Sequence, residues 1–450
     1  MRGLHARWSD VRRKGLLAVD ASSVAVVRIL MAAIILWEVV RYFTHNWIKS
    51  YWIDPSFHFT YFGFGWVHPW PGNLLYLHFA LMGLAALAVL FGLYYRAASV
   101  FLAISFAYQF LLEQARYLNH FYAALLILVL LAVLPAHAEW SIDRRRRQDY
   151  EPATVPAWVI WVLRFQVGVI YFYGGLAKLN VDWLGGAPTG LWMNHRATVP
   201  FVDFLLRHGL HGVFFGVGGM LFDLFVVPFL LLRPTRPYAF IAAICFHFIN
   251  AQLFPIGIFP WMMVATTTIF FVPSWPRSVL TYFSAPRVPR SKEVSTFDEP
   301  RRPLLAFLAA FMVVQLTVPF RHWLYPGDVA WTEEGHRFSW RMMLRDKAGS
   351  AQFLVVSGSD TAWVSAQQYL RPWQMGAMIG NPDMLLQFGH HLRDEFQRRG
   401  KNDARVYVRS LVSLNGRKAI PIIADTSELG RIPRTLGHAN WITAGPGDKE

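Results

Sequence analysis

The chain has 450 residues, 54% of them hydrophobic and only 16% charged, with a formal net charge of +15. Soluble proteins carry roughly a quarter charged residues, so composition argues against an ordinary water-soluble globule. The single cysteine, Cys245, excludes an internal disulfide, and no Cys/His spacing matches a zinc site.

Residues 1–20 are basic but lack a short apolar core followed by a small-residue cleavage site, so they read as a cytoplasmic leader rather than a removed signal peptide. Nine apolar stretches follow, at 21–43, 72–95, 97–113, 118–136, 157–176, 209–232, 238–251, 256–272 and 303–320. The seventh and eighth are short, as re-entrant or tilted segments are. With the N-terminus inside, the inner segments hold eighteen Lys and Arg, while the outer loops before the last span hold five: Lys49, Arg116, Lys178, Arg196 and Arg207. Cytoplasmic loops are the ones enriched in Lys and Arg. The positive charge is therefore a topology signal, and no nucleic-acid partner is expected. The stretch 284–302, rich in Pro, Arg and Ser, reads as a cytoplasmic linker.

An odd number of spans places the chain beyond about Arg321 outside the cytoplasm. There 351–357 and 404–414 alternate apolar and polar residues as half-buried strands do. Asn381-Pro382-Asp383 opens an amphipathic helix with Leu385, Phe388, Leu392 and Phe396 on one face. The expected fold is a polytopic α-helical membrane bundle of about nine spans, followed by a small β-rich extracytoplasmic domain. The expected domains are a leader at 1–20, a catalytic helical membrane domain at 21–320 and a soluble domain at 321–450.

Ionisable and polar residues inside spans are costly and are functional candidates by default. They gather in three places: Asn119 and His120 at the start of the fourth span, Tyr171 through Lys178 and Asp182 at the end of the fifth, and His247, Asn250, Gln252 and Gly257 near the seventh and eighth. All three lie at the outer face under the charge-derived topology. A polar cluster just beneath one interface suits an amphipathic, membrane-soluble substrate. Taken singly, Lys178 reads as a snorkelling anchor, His247 as an interhelical hydrogen-bonder and Gly174-Gly175 as a close helix contact.

These stretches resemble the vitamin K-dependent γ-glutamyl carboxylase family. Residues 171–183, containing Gly174-Gly175 and Lys178, look like one family signature, and 246–259, containing His247 and Asn250, look like another. Asn119-His120 matches an Asn-His pair, and 140–143 follow in order. Residues 331–336 and 338–343 look like the region implicated in glutamyl substrate, and the strand 406–414 leading to Asn415-Gly416 also looks familial. The animal members' disulfide cannot form here, because Cys245 is alone.

The resemblance implies oxygenation of reduced vitamin K, as phylloquinol or menaquinol, by O2 to the epoxide. The strong base so formed takes a γ-proton from glutamate in a protein or peptide, and CO2 adds to the carbanion. It implies Lys178 as general base. A solvated lysine titrates near about 10.4, and burial moves a lysine downward, which is the condition for that role. Asn119 and His120 would stabilise developing negative charge, with His247, Asn250, Gln252 and Tyr171 around the quinol. His336, Trp340, Met342 and Arg345 would position the glutamyl carboxylate, a cation such as Arg345 suiting it best. Membrane lipid is the surrounding partner, the bacterial inner membrane the expected location, and no metal is expected. A quinol epoxidase without peptide carboxylation, and a non-catalytic quinone- or lipid-binding membrane protein, are the competing readings. A transporter would show repeated broken helices in matching halves, which the sequence lacks.

Overall fold

The computed structural model describes residues 10–148, 151, 153–194, 200–207, 209, 211–283 and 295–447. Positions 1–9 of the expected leader and 284–294 of the expected linker lie outside the described residues, as does Arg196.

The N-terminal part is helical. Its principal helices are α1 (Ser22–Thr44), α2 (Leu74–Phe91), α3 (Tyr95–Leu111), α4 (Asn119–Val133), α5 (Ala157–Leu176), α6 (His211–Leu231), α7 (Arg236–Leu253), α8 (Phe259–Thr267) and α9 (Arg302–Thr317). At 1.5 Å per residue, a bilayer core of about 30 Å needs about 20 apolar residues. Five helices are long and apolar enough: α1, α2, α5, α6 and the segment Arg302–Leu324 that contains α9. The other four expected spans correspond to α3, α4, α7 and α8, which fall short in length or in apolar character. The expectation of about nine full spans is thus reduced to five clear ones among the described residues.

Helix neighbours run in a cycle: α1 packs on α2, α2 on α3, and so on through α8, which returns to α1, while α9 lies against α5. Bulky apolar residues such as Met31, Phe79, Phe106, Ile127, Ile170 and Met262 fill the interior. One end of the bundle is fastened by a buried cation. Arg28 of α1 donates to the carbonyls of Ala136 (2.9 Å), Glu139 (3.2 Å), Trp140 (2.6 Å) and Leu90 (3.4 Å). Those carbonyls lie just past or at the ends of α2 and α4, so the guanidinium supplies donors the helix ends lack.

The C-terminal part holds a three-stranded antiparallel sheet in the order β4–β3–β5, formed by β3 (Lys347–Ser357), β4 (Asp360–Val364) and β5 (Arg405–Leu414). The short pair β1 (Ala18–Asp20) and β2 (Thr154–Pro156) lies in the helical part. Helices α10 (Pro372–Ile379) and α11 (Pro382–Arg398) pack near the sheet. Asn381 caps α11 by accepting from the Met384 N–H at 3.2 Å. Leu385, Phe388 and Leu392 are buried with Phe353, Val406 and Val408.

The two parts are bolted together by polar groups. The buried carboxylate of Glu113, between α3 and α4, accepts from Gln374 Nε2 (2.9 Å) and the Phe59 N–H (3.2 Å), and pairs with His58 (3.2 Å). Asp383 takes Arg434 at 2.7 Å and Gln114 at 3.1 Å. Asn415 reaches Asp182 at 2.6 Å, beside Arg417.

Candidate active site

A cavity of about 1350 Å³ opens between the helix ends and the C-terminal part. Ten of the eleven residues singled out in sequence line it: Lys178, Asn119, His120, Tyr171, His247, Asn250, Gln252, His336, Met342 and Arg345. Trp340 does not. Its ring is wholly buried in the core, 4.9 Å from that of Tyr122.

Lys178 follows the C-terminus of α5. Its Nζ donates to Asp223 Oδ2 at 2.5 Å and to the Gly174 carbonyl at 3.1 Å, with the Trp183 ring at 5.5 Å. The pairing depends on how closely α5 and α6 approach. A Cβ on Gly175 would sit 2.9 Å from the Leu224 backbone nitrogen, so only glycine lets the neighbouring Asp223 reach the lysine. Asp223 went unnoticed in sequence, although a lone acid inside the apolar helix α6 carries the same signal that marks an intramembrane functional group. Its presence alters the expectation for Lys178. Lys178 is one half of a buried pair with Asp223 and not a solitary amine.

Tyr171 Oη lies 2.8 Å from His247 Nε2 and 3.1 Å from Thr267 Oγ1. His247 Nδ1 is buried without a partner. His120 makes no hydrogen bond among the described residues. Its ring stands edge-on to Phe121 at 4.8 Å and tilted to Phe259 at 6.1 Å. Gly257, at φ +55°, brings the chain beside it, since a Cβ there would lie 3.8 Å from His120 Nε2. Asn119 is engaged within the protein: its Oδ1 accepts from Tyr117 Oη at 3.0 Å and its Nδ2 donates to the Arg341 carbonyl at 3.3 Å. Asn250 Nδ2 donates back to the Phe246 carbonyl at 2.9 Å. Gln252 lies exposed at the cavity's edge.

The C-terminal part contributes a buried charge cluster. Arg345 forks onto Glu333, with Nε–Oε1 and Nη2–Oε2 both 2.5 Å. Lys347 Nζ adds a bond to the same carboxylate at 2.8 Å. Burial pushes the Glu333 carboxyl up, yet Arg345 and Lys347 outweigh it and hold it well below the usual carboxylate range. Burial pushes the Lys347 ammonium down to about 8 against the pull of Glu333. Burial, reinforced by Arg345, pushes His336 well below its ordinary value, so the ring is neutral and its Nε2 accepts from Arg345 Nη1 at 2.6 Å. Arg345, expected to meet a substrate carboxylate, is thus already paired inside the protein.

Residues 17–275, more than half of the chain, match the HTTM domain. Residues 300–447 match the lumenal domain of vitamin K-dependent gamma-carboxylase. The chain belongs to the vitamin K-dependent γ-glutamyl carboxylase family. Its apolar helices and HTTM domain mark this family member as an integral membrane protein. Membership implies carboxylase activity that depends on vitamin K. No solved structure matches the chain. Among the described residues, no group of three or more His, Cys, Asp or Glu side chains is placed to hold a metal ion.

The residues around the cavity fit a quinol. Aromatic walls from Phe121, Phe246, Phe259 and Trp192 suit a fused ring, while the orphaned Nδ1 of His247 and the unbonded ring of His120 offer polar contacts. The volume admits a bicyclic ring with part of an isoprenoid tail. Sites of this kind, apolar with a few convergent polar groups, are typical of small-molecule binding.

Proposed function

We propose that this protein carboxylates glutamate in a protein or peptide to γ-carboxyglutamate, with oxygenation of reduced vitamin K to its epoxide. The observation that carries the reading is the buried Lys178–Asp223 pair, 2.5 Å apart on the wall of the shared cavity. When bound, reduced vitamin K supplies, with O2, the strong base that removes a γ-proton from glutamate, and CO2 then adds. His120 and His247 would hold its oxygens, and the apolar helices keep out water that would quench such a base.

Lys178 and Asp223 provide the proton path. Lys178 Nζ passes a proton to Asp223 Oδ2 as it takes one from a hydroxyl presented in the cavity. The pair goes from net zero to net positive, which sets a cation beside the site of deprotonation. This arrangement replaces the free amine that a solitary lysine base would need. Asn119, fixed between Tyr117 and the Arg341 carbonyl, acts by holding the segment 338–343 over the site.

In this reading the N-terminus is cytoplasmic and the C-terminal domain extracytoplasmic in a bacterial inner membrane, by the distribution of Lys and Arg. One observation favours the second reading, an epoxidase that leaves peptides alone: Glu333 already occupies Arg345. Purified protein in lipid nanodiscs, given reduced vitamin K, O2, labelled bicarbonate and a glutamyl peptide, separates the two. Carboxylation predicts epoxide and peptide-bound label together. Epoxide without label across varied glutamyl peptides moves the assignment to an epoxidase.

A further inference from the structure

Several arginines withdrawn from solvent in this protein have hydrogen-bond or ion-pair partners. Arg28 and Arg164 donate to carbonyls, Arg277 to Asp20 and Glu139, and Arg345 to Glu333. Arg341 departs from that pattern. It is 8% exposed and lines the cavity, yet its guanidinium makes no hydrogen bond or ion pair among the described residues. Its Nε is shielded from solvent with no partner. Burial pushes the guanidinium down to about 10, so it remains a cation at neutral pH. A buried charge without a partner is costly, and a carboxylate entering the cavity would complete this one.

The backbone tells the same story. Nine non-glycine residues among those described have positive φ, and four of them, Glu333, Phe338, Trp340 and Met343, fall within this one stretch. Strain concentrated in this way is found where a chain is forced to present particular side chains. The stretch is also fixed to the reacting end of the cavity. Met342 packs on Gly174, whose added Cβ would lie 3.0 Å from Met342 Cε, and the Gly174 carbonyl accepts from Lys178.

We propose that Arg341, rather than Arg345, binds the carboxylate of the substrate's glutamyl side chain and so determines the preference for glutamate over glutamine. The inference rests on the carboxylase reading of this cavity and adds the residue that selects its peptide. A guanidinium with its donors free can take a carboxylate through two parallel hydrogen bonds. Glu333 meanwhile neutralises Arg345 and Lys347, and of the cavity arginines without such a partner among the described residues, Arg337 included, Arg341 is the buried one.

The test needs no turnover. Full-length protein in nanodiscs, without quinol or O2, is titrated with a fluorescent glutamyl pentapeptide and with its glutaminyl counterpart. Charged hydrogen bonds of this kind translate into a preference of about 10- to 100-fold for Glu in the wild type. Arg341→Met should bind both peptides alike, Arg341→Lys should keep part of the preference, and quinol affinity should not move. The peptide-free Met variant should melt no lower than wild type, because it loses only an uncompensated charge. A Met variant that keeps the preference, or that fails to fold, overturns the assignment while leaving the carboxylase reading intact. A wild type that does not distinguish Glu from Gln overturns the assignment, while the carboxylase reading is decided separately by peptide-bound label from bicarbonate. Displacement of the glutamyl peptide by millimolar bicarbonate in wild type would reassign Arg341 to a small inorganic anion.

Discussion

Replacing Asp223 by Asn is the perturbation that bears most directly on the proton path. Asn fits the same space and can still accept from Lys178 Nζ, which lies 2.5 Å from Oδ2 in the wild type. It cannot take up a proton, so the lysine loses the group it passes one to. Two effects follow. Removing one member of a buried ion pair destabilises a protein by about 3–5 kcal/mol, and loss of a positioned proton acceptor lowers a rate by about 10²–10⁴-fold. Since deprotonation precedes both products in this account, epoxide and peptide-bound label should fall by the same factor, with little change in quinol affinity. Single-turnover measurement of both products in nanodiscs, beside a melting curve for the variant, supplies the numbers. A turnover within about threefold of wild type, in a folded protein, would refute the shared-proton reasoning.

Further outcomes follow from the same geometry. Gly175→Ala places a Cβ 2.9 Å from the Leu224 backbone nitrogen, so it should destabilise by about 1–3 kcal/mol and reduce activity by parting Lys178 from Asp223, whereas Gly174→Ala meets the end of the flexible Met342 side chain at 3.0 Å and Asp223 Oδ2 at an ordinary 3.5 Å and should be milder; melting curves and initial rates compare them. Glu333→Gln should destabilise at neutral pH because it strands Arg345 and Lys347. The folded Glu333 carboxyl is depressed, so its stabilisation is present above the unfolded value near about 4.5 and is lost as pH falls through the folded value; the gap between wild type and variant, measured by denaturation, should therefore narrow below that pH. Glu113→Ala removes the acceptor shared by Gln374 and Phe59, and limited proteolysis should cleave between the two parts faster than in wild type. Asp360→Cys, on the solvent-facing strand β4, should react with a membrane-impermeant maleimide in intact cells if the C-terminal domain is extracytoplasmic, and the native Cys245 serves as the control.

Much of the C-terminal part was legible because its patterns are local. The alternation at 351–357 and 404–414 became β3 and β5, and Asn381 with its apolar face became the capped helix α11. Span count was less legible, since α3, α4, α7 and α8 are shorter or less apolar than a hydropathy reading of their surroundings suggests. Three features of the site depended on long-range geometry. Trp340 turns into the core because Phe338, Trp340 and Met343 adopt left-handed backbone that no residue-type rule anticipates. Arg345 found an internal partner twelve residues earlier in the chain, in Glu333, which sequence cannot distinguish from a free cation. Asp223 was different: a single acid in a 21-residue apolar helix stands out in the sequence by the same rule that marks Lys178.

The central claim, that Lys178 begins the chemistry in this cavity, is tested most directly with Lys178→Ala assayed for vitamin K epoxide and labelled peptide together. Both products should disappear while the folded variant still binds quinol. Epoxide formed at the wild-type rate by that variant would contradict the claim.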